Sequence, residues 1–479
     1  MTTFTEPAKE IPVIRDVDVV VAGGSPTGVA AAVAAARQGA RVLLVERNVF
    51  LAGQTMMGAT FHAVNLYNAN GERIVAGLMQ EIAERYGRLR FGLEPQAAFE
   101  RWAADGGAVP GEYMKAVLRE MVEEAGVEVF YGTLVSGARV EQNALSGVII
   151  EGRGGRALIG CQCAVDATGD GELAARAGAR FLIAPREALW RMMIHATIFR
   201  VEVRTFLDCI GDGVVAQDLN AVISGKPVTL AREEVLRLLR QGTPVLLFWG
   251  TLLRRALAAG ASIPYLPGTQ ERYRFDHWPP EQFRPYFSLR SLDGIVPGPS
   301  SAVDGLSPID NGDFSRGVDL MHRGIESQVR WLRAHLPGFA QAELLFTSPA
   351  VFITESRRIA GEYLLTEPDV LESRHFPDCI GKSAGHDRRH NIPKEEHEIP
   401  YRCLVPETLD GLLVAGRCIS ADREVGWMAF DAIRGQMTGV VTGQAAGTAA
   451  ALAVREGIPP RRLDVRRLQA ALLAQHVIL

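Results

Sequence analysis

The chain is short of lysine, of paired cysteines and of long apolar runs, and each shortage removes a class of function. Only five lysines (Lys9, Lys115, Lys226, Lys382 and Lys394) stand among 51 lysines and arginines, in 479 residues with a formal net charge of −4. That balance offers no basic field for nucleic acid or an anionic membrane. The arginine skew matches a GC-rich coding sequence and by itself argues for no anionic substrate. Six scattered cysteines (Cys161, Cys163, Cys209, Cys379, Cys403 and Cys418) suit a reducing compartment. None stands in C-x-x-C, which leaves out a redox disulfide, an iron–sulfur cluster and a structural zinc. The apolar stretches are short or broken by glycine and arginine before reaching the ~20 residues of a spanning helix. Met1–Arg15 is polar, carries two prolines and lacks a signal-peptide core. A cytoplasmic protein with no membrane partner is expected.

What is present begins at residue 17. Val17–Val21 is an apolar run, Gly23-Gly24-Ser25-Pro26-Thr27-Gly28 a tight turn, Val29–Arg37 an alanine-rich helix, and Arg41–Val45 a second strand ending on Glu46. This is a βαβ unit for a dinucleotide. Gly23 permits the sharp exit from the strand, Gly28 lets the helix approach the sheet, and the free N–H groups of the helix N-terminus face a pyrophosphate. Glu46, ~20 residues past the glycines, accepts from a ribose hydroxyl and repels a 2′-phosphate. Ser25 replaces the middle glycine of G-x-G-x-x-G and narrows the approach slightly.

The first ~185 residues read as α/β. Helices are expected at Gly77–Tyr86 and Met114–Glu124, with Arg88–Gly111 irregular. Strands are expected at Val127–Tyr131, Leu134–Glu141, Leu145–Glu151 and Ala157–Ala167. From 186 to 400, aromatics, prolines and arginines become denser, and helices are expected at Glu233–Gln241 and Val318–Leu336. After Leu404 the glycine–alanine texture returns. The expected organisation is a nucleotide domain built from 1–185 and 401–479, with 186–400 inserted as a substrate lobe.

Two further motifs are spaced for a cofactor. Asp166-Ala167-Thr168-Gly169-Asp170-Gly171 follows a strand. Gly411–Ser420 gives a second strand and glycine turn, then Thr442–Ala450 opens an alanine-rich helix whose positive end suits a developing anion. Together with Glu355–Tyr363 and Ile399–Pro406, these segments resemble the broad FAD-dependent oxidoreductase family of the glutathione-reductase-like superfold. The resemblance implies an α/β fold: a discontinuous Rossmann-like FAD-binding domain of parallel sheet plus β-meander, carrying an inserted α+β lobe. It implies that Gly23, Gly28 and Glu46 hold the ADP half of FAD, with Val135 near the adenine. Gly169 and Asp170 then line the phosphate–ribityl run, and Gly416, Arg417 and Gln444 lie by the flavin. Gly24, Ser25, Pro26, Thr27, Arg47, Gly53, Gln54, Thr168 and Gly443 complete the expected cofactor set. Residues 423–431 depart from the family pattern.

No second dinucleotide fingerprint and no C-x-x-C are present, so electrons are expected to enter from an organic substrate and leave to oxygen, a quinone or a carrier protein. His62 is the candidate base for the proton that accompanies hydride transfer, or a point of covalent flavin attachment. Arg357 or Arg358 is the candidate anchor for a carboxylate or for anionic reduced flavin, and Tyr401 and Arg402 are further candidates. His386, His390 and His397 would need a helix to share a metal, and Pro393 forbids one, so no metal is expected. The expected activity is dehydrogenation of a small or medium substrate, ring-bearing or anionic, at CH–OH, CH–NH or CH–CH. A flavin enzyme without net redox and a silent FAD-binding protein are the alternatives. A homo-oligomer is compatible with the sequence.

Overall fold

The computed structural model describes residues 4, 7–56, 60–61, 66–68, 70–104, 109–189, 191–210, 215–216, 229–243, 245–262, 286–289, 291–387, 392–423, 433 and 435–479. Strand β1 (Val13–Ala22) is apolar at consecutive positions from Val19 onward because both of its faces are covered, as in buried parallel sheets. It pairs in parallel with β2 (Val42–Val45) on one side. Beyond β2 lies β3 (Glu128–Phe130), also parallel. Strands β4 (Leu134–Glu141), β5 (Ala144–Gly152) and β6 (Gly155–Asp166) form an antiparallel meander, and β6 returns parallel to β1. Strand β7 (Leu412–Val414) joins the same sheet parallel to β6, more than 240 residues after it. Both ends of the chain therefore build one sheet.

Helix α1 (Pro26–Arg37) and helix α2 (Gln436–Glu456) cover one face of that sheet with Val19, Val21, Leu44 and Val165 beneath them. Their alanine and glycine content is a packing requirement. A Cβ on Gly443 would lie 2.1 Å from the Thr27 carbonyl oxygen, and one on Gly447 would lie 1.9 Å from that of Ala31. Helix α2 is long and apolar enough to cross a bilayer by length and composition, but it is almost wholly buried in this core. Val20, Leu43, Ala164 and Val414 face the other way and pack with the meander and residues 173–179.

A separate core unites residues between Met192 and Ile353, including Ile194, Phe206, Trp249, Met321 and Phe339. Its sheet centres on Met192–Phe199, flanked antiparallel by Val296–Val303 and Glu343–Thr347, with short Phe352–Ile353 beside Met192–Met193. Helix Asn311–His335 packs on it, capped by the Asp310 carboxylate accepting from the Asp313 N–H. Residues between Leu365 and Tyr401 pack instead in the core beneath α1 and α2.

One local expectation needs correction. Arg88–Gly111 is not irregular: one helix continues to Phe91 and another spans Pro95–Ala104, burying Phe99 and Trp102. The histidine-bearing stretch before Tyr401 is an antiparallel pair, Cys379–Asp387 with Ile392–Pro400, in which Pro393 sits within a strand. No group of three or more metal-ligating side chains forms among the described residues.

Candidate functional site

The carboxyl ends of β1, β2, β6 and β7 meet at one edge of the sheet, where ligands bind in open α/β folds. The chain leaves β1 through Gly23 at φ +101, and a Cβ there would lie 2.5 Å from the Ala167 carbonyl oxygen. A Cβ on Gly28 would lie 1.7 Å from the Gly23 oxygen, so the turn closes only with hydrogen at that position. Ser25 caps α1: its Oγ accepts from the Gly28 N–H at 3.5 Å, with Pro26 at the first helical position. The departure from the glycine pattern thus serves as a helix cap. Glu46, 3% exposed at the tip of β2, leans over the turn. Its carboxylate accepts from the Gly24 N–H at 2.6 Å and from the Asn48 N–H at 2.7 Å.

At the tip of β6, the wholly buried Asp166 carboxyl accepts from the Thr168 N–H (3.0 Å), the Thr168 hydroxyl (2.7 Å) and the Ala174 N–H (2.8 Å). Burial raises its pKa, and these bonds oppose the rise without cancelling it. The result is a rigid turn that holds Gly169 toward the cleft. After β7, the Gly416 N–H donates to Thr442 Oγ at 3.0 Å. Arg417 then spans the cleft floor: Nη1 donates to Gln54 Oε1 at 2.8 Å and Nη2 to Asp170 Oδ1 at 2.6 Å. One guanidinium so ties together three turns that are remote in sequence.

These turns surround a cleft of about 150 Å³. Gly23, Gly24, Ser25, Pro26, Thr27, Glu46, Arg47, Gly53, Gln54, Val135, Thr168, Gly169, Gly416 and Arg417 all line it. Gly28 lies just behind the lining and Asp170 acts through Arg417. Gly443 and Gln444 do not reach the cleft. Helix α2 starts at Gln436, a full turn and more before Thr442, so Gly443 faces Thr27 while Gln444 accepts from the Leu78 N–H at 2.9 Å. Gly435, Gln436 and Gly439 take the expected place at the helix start. The glycine preceding the helical run was the available signal for them.

The candidate chemical residues are dispersed. Tyr401 is buried in the core, where its hydroxyl donates to the Pro460 carbonyl at 3.0 Å. Arg402 pairs with Asp378 and Arg358 with Glu355. Arg357 donates to the Asp170 carbonyl at 3.1 Å and stacks over Phe181. None of these four lines the cleft. His62 lies outside the described residues. The lobe contributes Ala350, Phe352, Ile353 and Thr354 to the lining, which no motif in the sequence announced.

The residues fit FAD. A cradle with no room for Cβ atoms, a helix N-terminus beside it and a buried carboxylate at the tip of β2 all agree with a dinucleotide. The chain is 31% identical over 133 residues to thiamine thiazole synthase of Aeropyrum pernix, a match covering 28% of this chain and 43% of that protein. Among solved structures it is similar to a geranylgeranyl bacteriochlorophyll reductase-like protein of Thermoplasma acidophilum (12% identity, 97% of this chain and 84% of that one, TM-score 0.43). It is likewise similar to p-nitrophenol 4-monooxygenase of Pseudomonas putida (12% identity, 97% and 89%, TM-score 0.39). Residues 18–472 match the model of the FAD-dependent oxidoreductases, and the chain belongs to that family.

Proposed function

We propose that the protein dehydrogenates a small or medium organic substrate at a CH–OH, CH–NH or CH–CH bond, passing the electrons on to oxygen, a quinone or a carrier protein. One observation carries this reading: a single cleft runs from Glu46 at the tip of β2 to the lobe segment Ala350–Thr354. A bound dinucleotide can thus lie along the sheet edge while its far end meets a second wall supplied by the lobe. FAD, when bound, supplies the two-electron acceptor.

The chain's own residues do the rest. The N–H groups at the start of α1 and the Ser25 cap would hold the pyrophosphate, and the Glu46 carboxylate would hold the ribose. Arg417, held by Asp170 and Gln54, places a fixed positive charge in the cleft floor. The start of α2 at Gly435–Gln436 adds a partial positive charge, so negative charge arising in the cleft is stabilised without reorganisation. The missing C-x-x-C and the burial of Cys161, Cys163, Cys403 and Cys418, which pushes every one of these thiols up, argue against thiol chemistry.

The test is anaerobic mixing of the FAD-loaded protein with a panel of alcohols, amines and saturated acids. Bleaching of the yellow flavin band by one class supports dehydrogenation. Bleaching by none, with colour lost only on adding a nicotinamide reductant, overturns it.

A further inference from the structure

Resting on the reading above, we propose that Arg357 is a positioning residue for the cofactor. From outside the cleft it fixes the backbone at Asp170 and, through the Asp170 carboxylate, the Arg417 guanidinium on the cleft floor. The sequence offered Arg357 or Arg358 as an anchor that meets a ligand directly. The structure separates the two. Arg358 is buried and pairs with Glu355 at 3.1 Å, whereas Arg357 reaches the turn that follows β6.

That turn is soft by composition. Asp170 stands between Gly169 (φ +81) and Gly171 (φ +61), so the peptide planes on either side of it rotate at little steric cost. The Asp166 carboxyl holds the two ends of the turn, at Thr168 and Ala174. The middle is held from the side away from the cleft. The Ser356 hydroxyl donates to the Gly169 carbonyl at 3.3 Å, an oxygen it shares with the Cys418 thiol. Arg357 Nη1 donates to the Asp170 carbonyl at 3.1 Å. The two acceptors of Asp170 thus serve two arginines. Its carbonyl takes Arg357, and its carboxylate takes Arg417 Nη2 at 2.6 Å. Only the second arginine lines the cleft.

Arg357 is itself held in place. Its guanidinium lies over the Phe181 ring, 5.3 Å from the centroid. Phe181 pairs with Ile359 in an antiparallel register, which keeps that ring beside the stretch carrying Arg357. The lobe wall belongs to the same stretch, because Ala350, Phe352, Ile353 and Thr354 line the cleft a few residues before Arg357. One segment therefore faces the cleft from the lobe and fixes the cation on the cleft floor. Without the Arg357 bond, the Gly169–Gly171 backbone is free to turn, and the Asp170 carboxylate no longer has a single direction in which to hold Arg417.

The test is FAD titration of the flavin-free protein, read by quenching of flavin fluorescence. Arg357→Met should weaken FAD binding about tenfold, equivalent to ~1.4 kcal/mol, one hydrogen bond. Arg357→Lys, which keeps a cationic donor, should recover most of that loss. In the Asp170→Asn/Arg417→Met background the link is already cut, while the carbonyl of residue 170 remains. Adding Arg357→Met there should weaken FAD by less than about twofold. A role confined to stability gives the same loss in both backgrounds, and that result overturns the proposal, as does full affinity in Arg357→Met. Modification of Arg417 by phenylglyoxal in flavin-free protein, read by peptide mass, gives a second measure. It should be about tenfold faster in Arg357→Met than in wild type, the same shift in the balance between held and free Arg417. An equal rate overturns the proposal. Protein that takes up no flavin yet shows the faster modification would sink the FAD reading and leave the positioning of Arg417 by Arg357 standing.

Discussion

Replacing Gly443 by alanine should destabilise the protein, against the direction that helix propensity dictates. Alanine in a helix interior is favoured over glycine by ~1 kcal/mol. Gly443 lies eight residues into α2, and a Cβ there would come 2.1 Å from the Thr27 carbonyl oxygen, where ordinary contact begins near 3.4 Å. The obstacle is backbone, not the tip of a flexible side chain, so α1 and α2 must part by roughly 1 Å or distort, and overpacking costs ~1–3 kcal/mol. With the rigid obstacle placing this site at the upper end, the net loss is about 2 kcal/mol. Thr27 also lines the cleft, so the shift reaches the pyrophosphate cradle and FAD affinity should fall about tenfold, ~1.4 kcal/mol. Urea denaturation of the flavin-free protein and flavin titration measure the two effects separately. Gly457→Ala is the control. Its position has φ +64 with nothing near the added Cβ, so it should lose only ~1 kcal/mol and leave FAD binding alone. A Gly443→Ala protein as stable as wild type would refute the packing account of α2.

Other perturbations give outcomes of known sign. Arg417→Met leaves the Asp170 carboxylate, 5% exposed, without its ion partner. It should cost ~3–5 kcal/mol in denaturation, most of it recovered in the double variant with Asp170→Asn. Equal losses in the single and double variants would refute the pairing. Burial holds Asp166 above the usual carboxylate range, so the folded chain binds its proton more tightly than the unfolded chain does. Its share of stability is full below the unfolded value of about 3.9 and is lost as pH rises through the folded value. The stability difference between wild type and Asp166→Asn should therefore shrink from pH 4 upward in urea melts, and a flat or widening difference contradicts this.

Local chemistry was legible in the sequence, and long-range register was not. The turn Gly23–Gly28, the acidic end of β2 and the β4–β5 hairpin are each specified within a few dozen residues, and the structure builds them where the residues say. The start of α2 was misjudged because Gly443 and Gly447 look like a ligand approach, whereas their missing side chains make room for α1. Tyr401 looked chemical because of its neighbours in the chain, yet its hydroxyl satisfies a buried carbonyl. The lobe wall was invisible for a different reason. Phe352, which lines the cleft, and Met193 lie far apart in the chain and meet only through strand pairing, which no periodicity within either segment encodes.

FAD retention in Ser25→Asp tests the central claim most directly. Aspartate caps a helix as well as serine does, so α1 should stay folded, while a second negative charge now faces the pyrophosphate. Wild type is predicted to hold one FAD per chain and the variant to lose it, with affinity at least ~100-fold weaker (~2.7 kcal/mol) and an unchanged far-ultraviolet dichroism spectrum. A Ser25→Asp protein that stays as yellow as wild type would contradict the assignment of this cleft to the cofactor.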